Sequence, residues 1–302
     1  MQQIKFSFVI ALAPYRDAEV VKYLKQLDYP KNKYEIIIEK SFNPSENRNK
    51  GVAKARGEII LFIDDDAMIE KDFLSNVEQF LKEHPEIDIV GGPQLTPKDE
   101  QGFAKISGFA LSSQFGAFNV NARYTQVKLK LDAEETDLTS ANMICKKDIF
   151  QKIAFNPKLW PGEDPDFISQ AKKQGLRVAY SPQILVYHRR RSTFSALAKQ
   201  IFSYGKTRPA KESFLETLKR PYFLVPSAFL LYLLALVALG IFGFTAFVLY
   251  IPLLVYFMLS IYFSLFIAVR EKNFVAFFLI PIIFLTIHLS YGAGIIVGLI
   301  KK

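Results

Sequence analysis

The stretch GEIILFIDDDAMIEKDF, residues 57–73, decides how the chain is read. An apolar run, Ile59–Ile63, enters three consecutive aspartates, Asp64, Asp65 and Asp66. Apolar residues in an unbroken short run describe a strand buried on both faces, as in a parallel sheet. Like charges at the end of such a strand repel one another unless something cationic sits among them. Alternate side chains of an extended segment share a direction, so Asp64 and Asp66 face one site and Asp65 another.

Outward from this stretch, strand and helix signals alternate. IKFSFVIALA, YEIIIEK and IDIVGG read as further strands. DAEVVKYLKQL reads as a helix with Val20, Val21, Leu24 and Leu27 on one face. SENRNKGVAKARG reads as a helix with Ser45 as its N-cap, and KDFLSNVEQFLKEH as another. The pattern predicts an α/β domain with a mostly parallel, Rossmann-like sheet covered on both faces. Ligands of such sheets bind beyond the carboxyl ends of the strands, where the aspartates lie. The turn after the first strand, ALAPYRD, has no glycine-rich phosphate loop. A diphosphate bound here needs another counter-charge, and carboxylates holding Mg²⁺ or Mn²⁺ supply one.

Composition divides the chain. Charges are frequent up to Arg220, but from Pro221 to Ile300 the only ones are Arg270, Glu271 and Lys272. A span needs about 20 apolar residues, and three candidates follow, at 222–241, 245–268 and 274–300. The expected domains are therefore 1–215, cytosolic, and 216–302, in the membrane. Lys219, Arg220, Arg270 and Lys272 place the N-terminal domain in the cytoplasm of an expected multi-pass plasma-membrane protein. The net charge of +9 is concentrated just before the apolar tail, which favours membrane lipid over nucleic acid as a partner. The single cysteine, Cys145, excludes an intramolecular disulfide. The span predicted at 274–300 contains His288, read as a helix–helix hydrogen-bonding residue near Gly292 and Gly294 or as a functional group.

Two further motifs complete the set. WPGEDPDF, residues 160–167, places Glu163, Asp164 and Asp166 at a helix start. Dipole capping explains one or two such acids, and a carboxylate set apart from a metal can serve as a general base. VYHRRRSTFSALAKQIFSYGKTR offers His188 as a metal ligand or a strand end, and Arg189, Arg190 and Arg191 as diphosphate or lipid contacts. Residues 194–215 are expected to form an amphipathic interfacial helix, with Phe194, Leu197, Ile201 and Tyr204 on the lipid and Lys199 and Lys206 among headgroups.

In order and spacing, FSFVIALAP, ENRNKGVAKARGEIILFIDDDAMIEKDFL, TSANMICKKDIFQKIAFNPKLWPGEDPDF and VYHRRRSTFSALAKQIFSYGK resemble glycosyltransferase family 2, of GT-A fold. The tail with HLSYGAGIIVG resembles the membrane-bound subgroup that includes succinoglycan-type glucosyltransferases. The resemblance implies a metal-dependent, inverting transferase that moves a sugar from a nucleoside-diphosphate sugar to a lipid-linked acceptor. Asp64 and Asp66 would be the DxD motif, with Asp66, Asp64 and His188 on the metal. Asp164, supported by Glu163, would be the catalytic base. Glu39, Arg48, Arg189 and Arg191 would contact the donor, and Asn142 and Trp160 would lie on the acceptor side.

Two features depart from the family pattern. The second strand is followed by IEKSFNPSENR rather than a VDDGS-like turn, so Glu39 stands in for the base-reading acid. Gln200 lacks the Arg-Trp of a QxxRW motif, which points to single addition rather than processive synthesis. The alternatives are a polyprenyl-phosphate sugar synthase, an inactive membrane scaffold, or a binding module that uses only the basic run. The sequence specifies no oligomeric state.

Overall fold

A computed structural model describes residues 3–211 and 217–301, which group into two compact units. The first comprises residues up to Asp99 together with Asn119–Arg189; the second comprises Glu100–Phe118 and the chain from Arg190.

The first unit is built on a six-stranded sheet in the order β2-β1-β3-β6-β4-β7. Its strands are β1 (Phe6–Leu12), β2 (Tyr34–Lys40), β3 (Ile59–Ile63), β4 (Ile89–Gly91), β6 (Asn142–Lys146) and β7 (Val178–Tyr180). β1 runs parallel to β2 and β3, and β4 parallel to β7. Only β6 is antiparallel to its neighbours, making the sheet mixed but mostly parallel. β5 (Gln94–Leu95) and β8 (Val186–Tyr187) form a separate parallel pair.

Both faces of the sheet are covered, as the continuous apolar strands require. Phe6, Phe8 and Ile10 of β1 pack with Val20 and Leu24 of α1 (Val20–Leu24) and with Phe73, Leu74 and Val77 of α3 (Phe73–Glu83). Val9, on the opposite face, packs with Val52 of α2 (Pro44–Lys54). The same cluster includes Phe167 and Ile168 of α6 (Glu163–Lys173). α1 is shorter than the DAEVVKYLKQL periodicity suggests, although Leu27 beyond it is still buried. α2 begins before the expected cap. Asn43, not Ser45, accepts the Glu46 amide at 3.2 Å, and Pro44 occupies the first turn. Proline suits that position because its missing N–H has no intrahelical partner there.

The second unit contains α4 (Gly102–Ser112), α5 (Gln114–Ala117), α7 (Phe194–Lys211), α8 (Val225–Ile241), α9 (Ile251–Arg270) and α10 (Phe274–Ile300). Among the described residues two apolar helical stretches, Phe247–Arg270 and Phe274–Ile300, are long enough to cross a membrane; α8 has only 17 residues. Composition alone puts the division of the chain at 215/216, because GFAKISGFALS is too short to read as a span. Its burial within this unit is a tertiary property. The last four residues of the expected helix 194–215 lie outside the described residues.

Leu197 and Ile201 of α7 are buried, while Tyr204 is exposed. α7 and α10 approach backbone to backbone: a Cβ on Gly205 would stand 2.3 Å from the Tyr291 carbonyl oxygen. His288, in α10, has both ring nitrogens paired. His288 Nε2 donates to the Phe115 carbonyl at 2.9 Å, and Nδ1 accepts from the Tyr256 hydroxyl at 2.9 Å. That is the hydrogen-bonding role, extended to two partners.

Three substitutions test this packing. Glu35 links β1, β2 and the approach to β3. Its carboxylate accepts from Ser7 Oγ, the Arg56 amide and Arg56 Nε, each at 2.7 Å. Burial raises its pKa, but these donors outweigh burial and hold it below the ordinary carboxylate value. Its stabilisation is therefore present above the unfolded carboxylate range and lost as pH falls through the lower folded value. Glu35→Gln is expected to cost about 1 kcal/mol at neutral pH, with the difference in thermal midpoint shrinking on acidification. Gly205→Val is expected to overpack the α7–α10 contact and cost about 1–3 kcal/mol. Gly240→Ala, where an added Cβ meets nothing within 4 Å, should be neutral or mildly stabilising in the same thermal assay.

Candidate active site

The carboxyl end of β3 delivers Asp64, Asp65 and Asp66 to the edge of the sheet. A short antiparallel bridge fixes what lies opposite. Met68 N donates to Tyr187 O, and Tyr187 N to Met68 O, both at 2.8 Å. His188 follows directly, its own amide bonded to Leu95 O at 2.9 Å. The imidazole is thereby held against the aspartates: Nε2 lies 3.0 Å from Asp66 Oδ1 and 3.5 Å from Asp64 Oδ2. The potential ligand atoms of Asp64, Asp66 and His188 all lie within 4.8 Å of one another.

On the other side of the ring, Nδ1 is 2.9 Å from the Arg189 carbonyl oxygen. A proton on Nδ1 donates to that oxygen and leaves Nε2 to face the carboxylates, the orientation a metal-binding histidine needs. Burial lowers the His188 pKa, but Asp64 and Asp66 outweigh it and push the ring up to about 10. Asp66 moves the opposite way. Burial raises its pKa, but His188 and Arg16 draw it well below the carboxylate range.

Arg16, which the sequence reading passed over, is the second cation of the cluster. Its Nη2 lies 2.5 Å from Asp66 Oδ2 and its Nε 2.9 Å from Asp65 Oδ2. Asp65 is thus turned away from His188 and is not part of the three-ligand group. Burial, its first cause, pushes the Asp65 carboxyl up to about 6 despite Arg16.

Arg48 joins this cluster to the second acidic motif. It is a buried residue of α2. Nη1 lies 2.9 Å from Glu163 Oε1 and 3.9 Å from Asp164 Oδ1, and Nη2 lies 3.9 Å from Asp64 Oδ1. α2 also grips the loop that leads to these acids. Asn49 Nδ2 donates to Phe155 O at 2.8 Å, Phe155 N donates to Asn49 Oδ1 at 3.1 Å, and Asn43 Nδ2 donates to Pro157 O at 2.9 Å. Gly162, at φ 122°, turns the chain in a conformation that side chains other than hydrogen rarely adopt, and its amide donates to Glu163 Oε2 at 3.0 Å. Burial and then the neighbouring Asp164 push Glu163 up to about 7, with Arg48 opposing them. One guanidinium therefore faces three carboxylates, and Glu163 is the one placed to retain a proton near neutrality.

The remaining candidates are distributed differently. Asn142 opens β6 directly opposite Ile63, so it sits one strand over from Asp64; it is fully buried and donates to Ile184 O at 2.7 Å. Glu39, near the end of β2, is engaged by Lys54 at 2.6 Å. Arg189 pairs with Asp99 at 2.9 Å. Trp160 is exposed in the loop before Gly162. Arg191 is exposed and belongs to the second unit.

Chemically, the first cluster presents two carboxylates and an imidazole to one point, a donor set that fits a divalent cation. The second presents a paired acid and carboxylate beside it. Residues 7–204 match the family described as "Glycosyltransferase like family 2". A 159-residue stretch is 31% identical to the minor teichoic acid biosynthesis protein GgaB of Bacillus subtilis, covering 49% of this chain but only 16% of that protein. Over 91% of the chain, and 90% of the relative, identity is 24% to a dolichyl N-acetyl-alpha-D-glucosaminyl phosphate 3-beta-D-2,3-diacetamido-2,3-dideoxy-beta-D-glucuronosyltransferase of Methanococcus voltae. The fold is shared with the mannosyltransferase PcManGT of Pyrobaculum calidifontis, at a TM-score of 0.63 and 14% identity over 99% of this chain and 88% of that one. With two thirds of its length inside the family pattern and its aspartates at the carboxyl edge of a GT-A sheet, the chain belongs to the glycosyltransferase-like family 2.

Proposed function

We propose that this glycosyltransferase moves a sugar, with inversion, from a nucleoside-diphosphate sugar to a lipid-linked acceptor at the cytoplasmic face of a membrane. The observation that carries the reading is the buried Arg48, which holds Asp64 of the first acidic motif and Glu163 and Asp164 of the second in one charge network.

Asp66, Asp64 and His188 would hold the cation. The imidazole favours Mn²⁺ over Mg²⁺, since Mg²⁺ prefers an all-oxygen shell. When bound, the cation neutralises charge on the diphosphate leaving group. Arg16 stands beside the same carboxylates and would add a second positive charge where that charge grows. PcManGT was solved with GDP-Man and Mn²⁺, which supports the donor class.

Asp164 is assigned as the base that takes the proton from the acceptor hydroxyl as its oxygen attacks the anomeric carbon. Its Oδ1 has no hydrogen-bond partner. Glu163 and Arg48 act by holding it in place. Asn142 and Trp160 are assigned to the acceptor side, and Arg189 and Arg191 to the donor phosphates. A direct backside displacement needs the base on the face opposite the leaving group, and two acid clusters bridged by a single side chain suit that geometry.

The lipid-linked acceptor is supported by the activity of the Methanococcus relative, whose acceptor is a dolichyl phosphate derivative. It is supported also by the apolar helices, on which Leu234, Val237, Phe257, Met258, Phe278 and Ile282 are exposed. Such a surface is costly in water and suits hydrocarbon. Arg270 and Lys272 between the last two helices assign that loop to the cytoplasm.

Two measurements test these assignments. Asp164→Asn is expected to lower transfer by roughly 10²–10⁴-fold while leaving Mn²⁺-dependent nucleotide binding intact. Wild-type transfer in that variant would sink the base assignment and favour a lipid-phosphate acceptor, which is already anionic and needs no base. His188→Ala is expected to weaken Mn²⁺ binding, read by paramagnetic titration of the metal-free protein, by roughly 10- to 100-fold, the range for losing part of a metal's shell. Unchanged affinity would remove His188 from the metal site.

A further inference from the structure

Between β5 and β6 the chain makes an excursion through α4 and α5, neither of which contributes a residue to the candidate active site. From Ile106 to Ala122 this stretch, ISGFALSSQFGAFNVNA, carries no charge. α5 places one ring, Phe115, in an aromatic socket built by the two membrane-length helices. Its centroid is 5.4 Å from that of Tyr256 and 5.5 Å from that of Phe263, both on α9. On α10 it is 5.0 Å from Phe284 and 5.2 Å from His288. Gly116 permits this approach: an added Cβ would stand 2.1 Å from the Ala110 carbonyl oxygen and 3.1 Å from Cε1 of Phe284.

The socket lies far from the ends of the helices that form it. His288 stands well inside α10, which runs from Phe274 to Ile300. At a rise of about 1.5 Å per residue, it is about 21 Å from the first of these and about 18 Å from the second. The hydrocarbon core of a bilayer is about 30 Å thick, so the middle of a helix that crosses it lies within hydrocarbon.

Hydrogen bonding in the excursion fits such a place. Phe115 is in the last turn of α5, where carbonyls lack intrahelical donors. Water supplies the donor at an exposed helix end; here His288 Nε2 supplies it at 2.9 Å. The hydroxyls of Ser107, Ser112 and Ser113 each donate to a carbonyl three residues back, at 2.8, 2.8 and 2.7 Å. At the turn into α5, Ser113 Oγ also accepts from Gly116 N at 3.0 Å. Ser264 of α9 and Thr286 of α10 donate in the same manner to carbonyls of their own helices, at 2.7 and 2.8 Å. Polar groups satisfied within the protein are what a bilayer interior demands.

We infer that Glu100–Phe118 is a re-entrant membrane hairpin that enters the hydrocarbon beside α9 and α10, touches lipid acyl chains, and returns to the side it left. Both of its ends join the first unit, which requires the return. The inference rests on the reading of α9 and α10 as membrane helices. Phe118, 54% exposed, is the large side chain the hairpin offers to the acyl chains. Gln114, exposed at the turn between α4 and α5, reports its depth directly.

The test labels single introduced cysteines with an environment-sensitive fluorophore in the full-length protein, held in phosphatidylcholine nanodiscs. The native Cys145 is buried and stays in place. Gln114→Cys probes the hairpin, Leu285→Cys probes α10, and Lys71→Cys probes the surface of the first unit. Nitroxides fixed on the acyl chains are expected to quench the labels at 114 and 285 several-fold more than the label at 71, with aqueous iodide giving the reverse order. Phe118→Cys answers the same question should Gln114→Cys fail to fold. Iodide quenching at the hairpin, with lipid quenching kept at 285, overturns the inference and leaves the membrane helices standing. Iodide quenching at 285 as well shows that α10 is not in the bilayer, and the membrane reading fails together with the hairpin.

Discussion

A single buried guanidinium sets the terms for the catalytic unit. Arg48 has little solvent to share its charge with, and three carboxylates converge on it from two segments about a hundred residues apart. Removing one partner of a buried ion pair typically costs about 3–5 kcal/mol, because the remaining charges are left uncompensated. The same arrangement explains why α2 grips the loop before α6 so closely. Asn43 and Asn49 bond to backbone groups of that loop, so the guanidinium and its carboxylates are brought into register by neutral hydrogen bonds. The charges are then held in place by the surrounding backbone contacts rather than left to assemble themselves.

Much of the architecture was legible because it depends on local periodicity. The continuous apolar strands, the alternation with helices and the aspartates ending β3 are all short-range patterns, and the sheet follows from them. The separation of Asp65 from Asp64 and Asp66 was likewise legible from the two-residue repeat of an extended chain. Arg16 was not, because an arginine in a polar turn has no periodic signature and its partners lie some fifty residues away. Arg48 was identified as a site residue but placed with the donor, since sequence spacing does not reveal that it faces Glu163. The one local clue that was available and misread was Asn43 before Pro44, a stronger helix start than Ser45.

The second unit shows a different limit. Hydropathy finds long apolar helices but is blind to a short one whose neighbours are supplied from elsewhere in the chain. α4 and α5 are such a segment, and the hydrogen bond from His288 to the Phe115 carbonyl marks their attachment. α7 carries an amphipathic pattern that suggests a lipid surface, yet Leu197 and Ile201 are consumed by packing and Gly205 permits direct backbone contact with α10. Periodicity reports that one face of a helix is apolar; it does not report whether protein or lipid covers it.

The two units are interleaved in sequence: the chain leaves the first after Asp99, returns at Asn119, and leaves again after Arg189. The first unit is therefore interrupted by Glu100–Phe118 of the second, and the two are joined at three covalent crossings rather than one. A cut anywhere near residue 190 would not free it, since the excursion through α4 and α5 would remain attached. A fragment ending there would still carry Glu100–Phe118 of the second unit. Separating the two units thus calls for bridging residues 99 and 119 with a polar turn, because a single cut leaves residues 100–118 attached to the first unit.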